Sequence, residues 1–274
     1  MRTFPTAPWS IPILVWRNRQ LIATLIRREV VGRYQGSVVG LAWSLLNPFF
    51  MLTVYTFVFS VVFRTRWGGE HVDQSRTLFA MLLFTGMIMH GLIAEMLTRS
   101  PTLVVGNVNY VKKVVFPLEV LPIVTICASL FHTGASLLVL LAALMLFNGE
   151  VHLTVLLLPL ILMPLLLVCV GIGWLLASLG VYLRDVAQTT GLLSTVLMFL
   201  SPVFYPVSAL PAPLRPWMLA NPLTFVIEQA RAVMVFGQLP DWRGLGVATI
   251  AGLFVAWLGF FWFQKTRRGF ADVL

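Results

Sequence analysis

The hydrophobic and polar residues of this chain are sorted into long uncharged runs and short charged connections. The first run lies between Arg33 and Arg64 and contains 30 residues without a formal charge. Because an α-helix rises ~1.5 Å per residue, about 20 apolar residues cross the hydrocarbon core of a bilayer. This run therefore predicts a transmembrane helix, framed by basic residues and with aromatic residues near its ends. For one such run alone, a long buried helix of a soluble protein is the alternative.

The same pattern recurs five more times, which predicts an all-α polytopic membrane protein with six transmembrane helices. The further uncharged runs cover residues 77–94, 120–149, 151–183, 186–214 and 244–264. We predict a single transmembrane domain over residues 1–274, with spans at 36–63, 77–97, 119–147, 153–180, 187–205 and 244–264. A membrane β-barrel is disfavoured because its strands alternate in hydrophobicity over ~10 residues, and these runs do not alternate.

Composition and charge support the same class and suggest an orientation. Charged residues make up 11% of the chain, whereas soluble domains contain about 25%. The net charge of +9 does not require a nucleic-acid partner, because many of the few charges lie in short loops at one membrane face. With six spans, 13 basic residues fall on the side of the two termini and 6 on the opposite side. By the positive-inside rule, we expect both termini in the cytoplasm.

Residues 10–28 combine apolar and basic residues at helical spacing. Leu14, Leu21 and Leu25 fall on one helical face, and four arginines form the polar counterpart. Asn18 interrupts the apolar face. The pattern predicts an N-terminal amphipathic helix that lies in the membrane interface. An ordinary basic flank is the alternative.

The connection after the second span carries a helix-start signal. Ser100 suits the N-cap and Pro101 the first helical position. We therefore predict a short helix over 98–115, parallel to the membrane at its cytoplasmic face. Gly106 weakens this helix, because glycine is a poor helix former.

Residues 206–240 are rich in proline and differ from the spans. The uncharged run 216–227 has only 12 residues, a length that suits a re-entrant or interfacial segment. We predict two short helices, 213–219 and 222–236, which enter the outer leaflet between spans 5 and 6.

No convincing catalytic set is visible, so we expect a transport subunit and not an enzyme. The chain has no G-x-x-x-x-G-K-[ST] loop and therefore does not bind ATP by a P-loop. Cys127 and Cys169 lie in apolar runs, where we expect small buried hydrophobic residues and no metal site. His90 and Glu95 in the second span suggest either a proton relay or a helix–helix hydrogen bond.

The polar residues within the spans are mostly serine and threonine. Neutral hydroxyls beside aromatic faces suit a sugar, which offers hydroxyl groups and apolar C–H faces, better than they suit a bound ion. Helix packing is the alternative for each of these residues.

A motif in the first span resembles a signature of a known family. The motif consists of Arg33, Tyr34, Ser37, Gly40, Trp43 and Pro48. Four further segments agree in order: Asn107 with 112–117 and Leu121-Pro122, then 201–206, Asn221-Pro222 with Arg231, and 268–272. The chain is therefore similar over nearly its whole length to the transmembrane subunits of polysaccharide ABC exporters. These form the O-antigen, capsule and teichoic-acid branch of the type-2 ABC transporters.

The resemblance implies an assembly and a cargo. Members of this family work as homodimers of six-span permeases in the bacterial cytoplasmic (inner) membrane, joined to two copies of a separate ABC ATPase. ATP and Mg would bind to that ATPase, and this chain would need no cofactor of its own. The expected cargo is an undecaprenyl-linked polysaccharide, which would cross the membrane through a channel between the two permease copies.

The resemblance also implies roles for particular residues. Arg33 and Tyr34, with Arg28 on the gate helix 10–28, would hold the lipid headgroup, because a guanidinium binds phosphate through paired hydrogen bonds. The expected channel aromatics are Trp43, Phe49, Tyr55, Phe59 and Tyr205. The expected ATPase-coupling residues are Arg99, Asn107, Lys112 and Lys113. The expected external gate residues are Pro206, Trp217, Asn221 and Arg231. Alternatively, Arg33 only fixes the orientation of the first span in the membrane, and the aromatic side chains face lipid or pack in the protein core.

Three other functions fit the sequence less well. A type-2 ABC permease for a small drug or lipid would share the dimer and differ in cargo. An integral-membrane enzyme acting on lipid intermediates would need acids or histidines clustered at one face, and the ten acidic residues here are dispersed. A proton-coupled carrier would rest on His90 and Glu95 alone.

Overall fold

The computed structural model describes residues 7–58, 76–112, 116–219 and 221–274, and within these ranges the chain is helical without any β-strand. The first six α-helices are α1 Ser10–Arg17, α2 Arg19–Gly32, α3 Trp43–Phe57, α4 Arg76–Arg99, α5 Val108–Lys112 and α6 Val120–Asn148. The next six are α7 Leu158–Tyr182, α8 Val186–Phe199, α9 Arg215–Leu219, α10 Pro222–Met234, α11 Trp242–Thr266 and α12 Phe270–Val273.

In the part of the chain that the structure describes, five helical stretches are long and apolar enough to cross a membrane. They are Gly40–Phe57, Thr77–Thr102, Val120–Asn148, Leu153–Tyr182 and Trp242–Val273. Each overlaps one of the predicted spans. These stretches confirm an all-helical protein with several membrane-spanning helices.

The predicted spans 187–205 and 36–63 differ from the observed helices. The former corresponds to α8, which has only 14 residues and ends at Phe199. Pro202 lacks a backbone N–H and disfavours helix in the residue before it, which explains the early end. In the latter, α3 begins only at Trp43, because Gly36 and Gly40 adopt positive φ angles of 86° and 56°. Residues 59–63 lie outside the described residues.

α7 and α11 approach each other very closely. A Cβ atom on Gly171 or on Gly259 would overlap the backbone of the other helix. Small residues permit this close approach. In lipid there is no hydrophobic driving force between helices, so the van der Waals contacts of such close packing stabilise the pair. Trp174 of α7 packs edge-on against Phe260 of α11, with 5.0 Å between ring centroids, and donates from Nε1 to the carbonyl oxygen of Glu119 at 2.8 Å.

One end of the bundle gathers the N-terminal helices, the connection before α6 and the C-terminus; we name it the terminal end. Phe270 of α12 is buried there with Val104 and Phe116. Arg267 donates to the carbonyl oxygen of Phe116 at 2.8 Å and pairs with Glu119. The N-terminal, coupling and C-terminal segments therefore share one end.

The opposite end is formed by the proline-rich residues 200–240 and the start of α7; we name it the proline end. Asn221 donates from Nδ2 to Ser201 Oγ at 2.9 Å, and Thr154 donates to the carbonyl oxygen of Val233 at 2.6 Å. Gly237 has a φ of 63°, and a Cβ there would overlap the ring of His152.

Two of the predicted short helices differ in detail from the structure. The segment 10–28 forms two helices, α1 and α2, and α2 continues to Gly32. The break falls at Asn18, whose Nδ2 donates to the carbonyl oxygen of Leu14 at 2.9 Å. The segment 98–115 is not one helix, because two 3-10 turns around Gly106 precede the five-residue α5. By contrast, α9 and α10 lie close to the two short helices predicted in 206–240.

Candidate functional site

Four charged side chains, from α2, the residue after it and α4, meet at the terminal end; we name them the ion cluster. Glu95 of α4 pairs with Arg33, just after α2, and with Arg99 one helical turn further along α4, at 3.0 Å. Arg99 also reaches Glu29 of α2, with 2.5 Å between Nη2 and Oε1. Two carboxylates and two guanidiniums therefore fasten α2 to α4.

Arg33 and Tyr34, both predicted to bind the headgroup, do lie together. The hydroxyl of Tyr34 lies 3.1 Å from Nδ1 of His132 on α6. Burial lowers the pKa of Arg33, with Arg99 adding to the effect and Glu29 opposing it. Burial also raises the pKa of Tyr34, so its hydroxyl stays protonated at neutral pH. A phosphate approaching Arg33 would compete with Glu95 for the guanidinium.

Arg28, the third predicted headgroup residue, has a different partner. It is exposed, and its Nη1 lies 3.4 Å from the hydroxyl of Tyr110. Both residues line a cavity of about 230 Å³ that also contains Glu29, Arg99 and Asn107. The cavity lies between α2 and residues 99–110, so Arg28 faces the segment that contains the predicted coupling residues Arg99 and Asn107.

The partners of Glu95 were not predicted from the sequence. The sequence paired it with His90, but Nε2 of His90 lies 3.1 Å from the carbonyl oxygen of Ser194 on α8. His90 therefore makes a helix–helix hydrogen bond, and Glu95 bonds to arginines. The i,i+4 spacing of Glu95 and Arg99 was the available signal for the local pair.

A polar cavity of about 330 Å³ opens between α3, α4 and α6, beside the ion cluster; we name it the polar cavity. Glu95 and His132 line it, and so do the hydroxyl-bearing residues Tyr55, Ser129, Thr133 and Ser136. Pro48, Met51, Phe84 and Ile88 add apolar wall. The sequence predicted serine and threonine hydroxyls suited to a sugar, and three of those residues, Ser129, Thr133 and Ser136, line this one cavity.

The predicted channel aromatics do not converge within the described part of one subunit. Trp43 and Phe49 lie exposed on the outer surface of α3. Tyr55 turns inward to the polar cavity and contacts Phe84 of α4, with 6.5 Å between ring centroids. Tyr205 donates to the carbonyl oxygen of Phe199 at 2.7 Å near the proline end. Phe59 lies outside the described residues.

The predicted coupling residues share the terminal end. Asn107 donates from Nδ2 to the carbonyl oxygen of Leu103 at 2.8 Å, and Arg99 belongs to the ion cluster. Lys112 is exposed at the end of α5, and Lys113 lies outside the described residues. Tyr110 of α5 stacks on Phe116 at 4.3 Å between ring centroids, which holds α5 near the start of α6.

Arg231, one of the predicted external gate residues, is buried, whereas a gate residue is expected to be accessible. Only 2% of its side chain is exposed, and it donates to the carbonyl oxygens of Leu82, Pro202 and Val203 at 2.9, 2.6 and 2.9 Å. It also pairs with Glu228 at 3.1 Å. Arg231 therefore fastens α10 to α4 and to the loop after α8.

The other gate residues remain nearer the surface of the proline end. Asn221 caps α10, because its Oδ1 accepts from the backbone N–H of Leu223 at 3.0 Å. Trp217 is exposed on α9, and Pro206 is half-buried. These residues lie around the loops and short helices after α8.

Several apolar helices of membrane-spanning length define a multi-pass helical membrane protein. The ABC-2 type transporter family model matches residues 20–235, and the chain belongs to that family. The family and the apolar helices identify a transport component of the inner membrane, as the resemblance implied.

The chain is also similar to curated proteins over nearly its whole length. The O-antigen export system permease protein RfbA of Myxococcus xanthus is 26% identical over 94% of this chain and 96% of that protein. RfbA of Klebsiella pneumoniae is 24% identical over 93% and 95% of the respective chains. The polysialic acid transport protein KpsM of Escherichia coli is 22% identical over 87% and 90%.

Proposed function

We propose that this chain is the permease subunit of an ATP-driven exporter that moves an undecaprenyl-linked, O-antigen-like polysaccharide out of the cytoplasm. The observation that carries the proposal is the end-to-end similarity to permeases named for O-antigen export. The sugar-suited polar cavity supports a polysaccharide cargo over a drug or a simple lipid.

We propose six membrane crossings, with α8 as the fifth. Tyr182 at the end of α7 donates to the carbonyl oxygen of Thr266, near the terminal end, while Ser201 contacts Asn221 at the proline end. A helix of 14 residues is roughly 21 Å long at ~1.5 Å per residue, so α8 with residues 200–205 carries the chain between the two ends. The excess of basic residues then favours a cytoplasmic terminal end and places α9 and α10 in the outer leaflet.

We propose that two copies of the chain enclose the channel, with α3 and α8 facing the partner copy. Both helices present large apolar side chains outward, among them Phe49 and Phe57 on α3 and Leu192 and Phe199 on α8. Trp43 and Phe49 would then line the path together with their counterparts. Weak, repeated contacts with sugar rings would let the polymer slide.

We propose that the ATPase, with its ATP and Mg, docks against residues 98–112. Motion of α5 would reach Arg99 through the intervening turns and so reach the ion cluster. Rearrangement of Arg99 would loosen its bond to Glu29 and release α2 from α4. Arg33 would then exchange Glu95 for the phosphate of the lipid-linked cargo.

Co-purification tests the assembly. Tagged chain should retain an ABC ATPase at 1:1 stoichiometry, and substitution of the exposed Lys112 by Glu should weaken ATPase stimulation while the complex still assembles. Arg184, a basic residue between α7 and α8, provides the matched control as Arg184→Glu. Cysteine accessibility that placed residues 98–112 outside the cell would overturn the proposal.

A further inference from the structure

The polar cavity contains more hydrogen-bonding groups than the protein itself satisfies. The hydroxyls of Ser129, Thr133 and Tyr55 make no hydrogen bond to another described residue. Nε2 of His132 is buried and, in the part of the chain described, has no partner either. Each such group costs about 1–3 kcal/mol when it is shielded from water and unpaired. Of these four groups, only Nε2 of His132 is both shielded from water and unpaired. A ligand in the cavity that pairs with it would recover this cost, and the three hydroxyls offer the same ligand further partners.

Neighbouring hydroxyls on the same helix behave differently. Thr125 donates to the carbonyl oxygen of Leu121 at 3.2 Å, and Ser136 donates to that of His132 at 3.1 Å. Hydroxyls in a helix commonly form this bond to the preceding turn. Ser129 and Thr133 lie between these two residues, one turn apart, and leave their hydroxyls to the cavity.

The lining favours a neutral, polyhydroxylated ligand. Hydroxyls both donate and accept, so they match the hydroxyls of a sugar. The charge of Glu95 is already balanced by Arg33 and Arg99, which disfavours a cation. The apolar wall from Met51 and Phe84 suits the C–H face of a ring. A volume of about 330 Å³ lies at the small end of ligand pockets, which span about 300–1,000 Å³.

We propose that the polar cavity binds one sugar unit of the cargo, the unit adjacent to the lipid phosphate. This rests on the proposed function and adds a site within each subunit, distinct from the channel between subunits. Glu95 links the two parts, because it lines the cavity and pairs with Arg33. When Arg33 turns to the phosphate, the Glu95 carboxylate is free to accept hydrogen bonds from the neighbouring sugar.

Binding to the intact complex with its ATPase, in lipid nanodiscs, tests the site. The probes are a polyprenyl diphosphate bearing one hexose, the same lipid bearing one N-acetylhexosamine, and the unglycosylated lipid as reference. Wild type should bind at least one glycosylated probe more tightly than the reference. Thr133→Val, which keeps shape and removes the hydroxyl, should lower this preference by about threefold to tenfold, since a neutral hydrogen bond contributes about that much.

Thr85→Val is the matched control, because Thr85 is buried on α4 with its hydroxyl bonded to the carbonyl oxygen of Met81 at 2.8 Å. It should leave the preference unchanged. Ser129→Ala provides a second variant if Thr133→Val does not assemble. Equal binding of all three probes by wild type would overturn the cavity site, as would equal losses in Thr133→Val and Thr85→Val.

The reference lipid separates this proposal from the broader one. If the reference binds, loses affinity in Arg33→Gln, and gains nothing from an added sugar, the cavity site is wrong and the exporter proposal stands. If no ATPase co-purifies and none of the probes binds, the exporter proposal is itself wrong, and the cavity site falls with it.

Discussion

The neighbouring helices α3 and α4 are both apolar, yet they relate to the protein in opposite ways. In the apolar stretch that contains α3, only 17% of the residues are buried within the subunit. In the apolar stretch of α4, 72% are buried. α4 contacts α3, α6, α7, α8 and α10, and it holds Glu95 and the carbonyl oxygen that Arg231 binds. Hydrophobicity alone therefore marks a helix as membrane-spanning and does not tell whether lipid, a partner or its own subunit covers it.

The largest effect should come from the buried arginine that fastens α10 to α4. Arg231→Met removes the donor for three backbone carbonyl oxygens, and breaking a buried charged network costs about 3–5 kcal/mol. We expect loss of folded protein or a large fall in the thermal midpoint in detergent. Arg215→Met is the control, because Arg215 also bonds two carbonyls but is exposed. Similar midpoints for the two variants would contradict the assignment.

A matched pair of leucines tests this difference in burial between α3 and α4. Leu92 of α4 is fully buried, and Leu45 of α3 is exposed. Leu92→Ala should lower the free energy of unfolding by about 2 kcal/mol, because a cavity replaces packed atoms. Leu45→Ala should change it by less than about 0.5 kcal/mol in the isolated subunit. Denaturant titration of both variants measures the difference, and equal losses would show that α3 is covered within the subunit.

Removing one charge from the ion cluster should lower stability by an intermediate amount and should allow α2 to detach more easily. Glu95→Gln removes the charge that balances Arg33 and Arg99, at a cost of about 1–3 kcal/mol. Ile22 of α2 is buried, so Ile22→Cys in a background without native cysteines reports whether α2 detaches. We expect faster thiol labelling in the Glu95→Gln variant, and no change with the exposed Glu150→Gln. Unchanged labelling in both would show that α2 is held by apolar contacts alone.

The smallest effect should come from the contact between Arg28 and Tyr110. The two atoms lie 3.4 Å apart at the surface, so Tyr110→Phe should change stability by less than about 0.5 kcal/mol. Tyr110→Ala should cost more, because it also removes the stack on Phe116. Thermal midpoints of the two variants separate the hydrogen bond from the ring.

The sequence predicted the long helices well, because a membrane-length apolar run has few alternative structures. It predicted α9 and α10 closely, where prolines and Asn221 mark helix starts. It was wrong about a continuous helix over 98–115, because two tight 3-10 turns separate α4 from α5.

Contacts between residues distant in sequence could not be predicted from hydrophobic pattern or residue spacing. Nothing local indicates that Glu95 meets Arg33, or that Arg231 reaches Leu82, because these contacts depend on how whole helices pack. The structure places Tyr34 beside His132 and Arg28 beside Tyr110, and neither contact was predicted. The roles of these residues in binding cargo remain predictions.

The backbone contact between Gly171 and Gly259 limits where this protein can deform. α7 and α11 touch without side chains between them, so neither can slide toward the other, and separating them would leave a void. We therefore expect α7 and α11 to move together as one rigid body. α2 packs on α6 through the apolar cluster of Ile22, Val120 and Val124 and is tied to α4 by ion pairs, so we expect a displacement at the terminal end to move α2 more readily than this pair of helices.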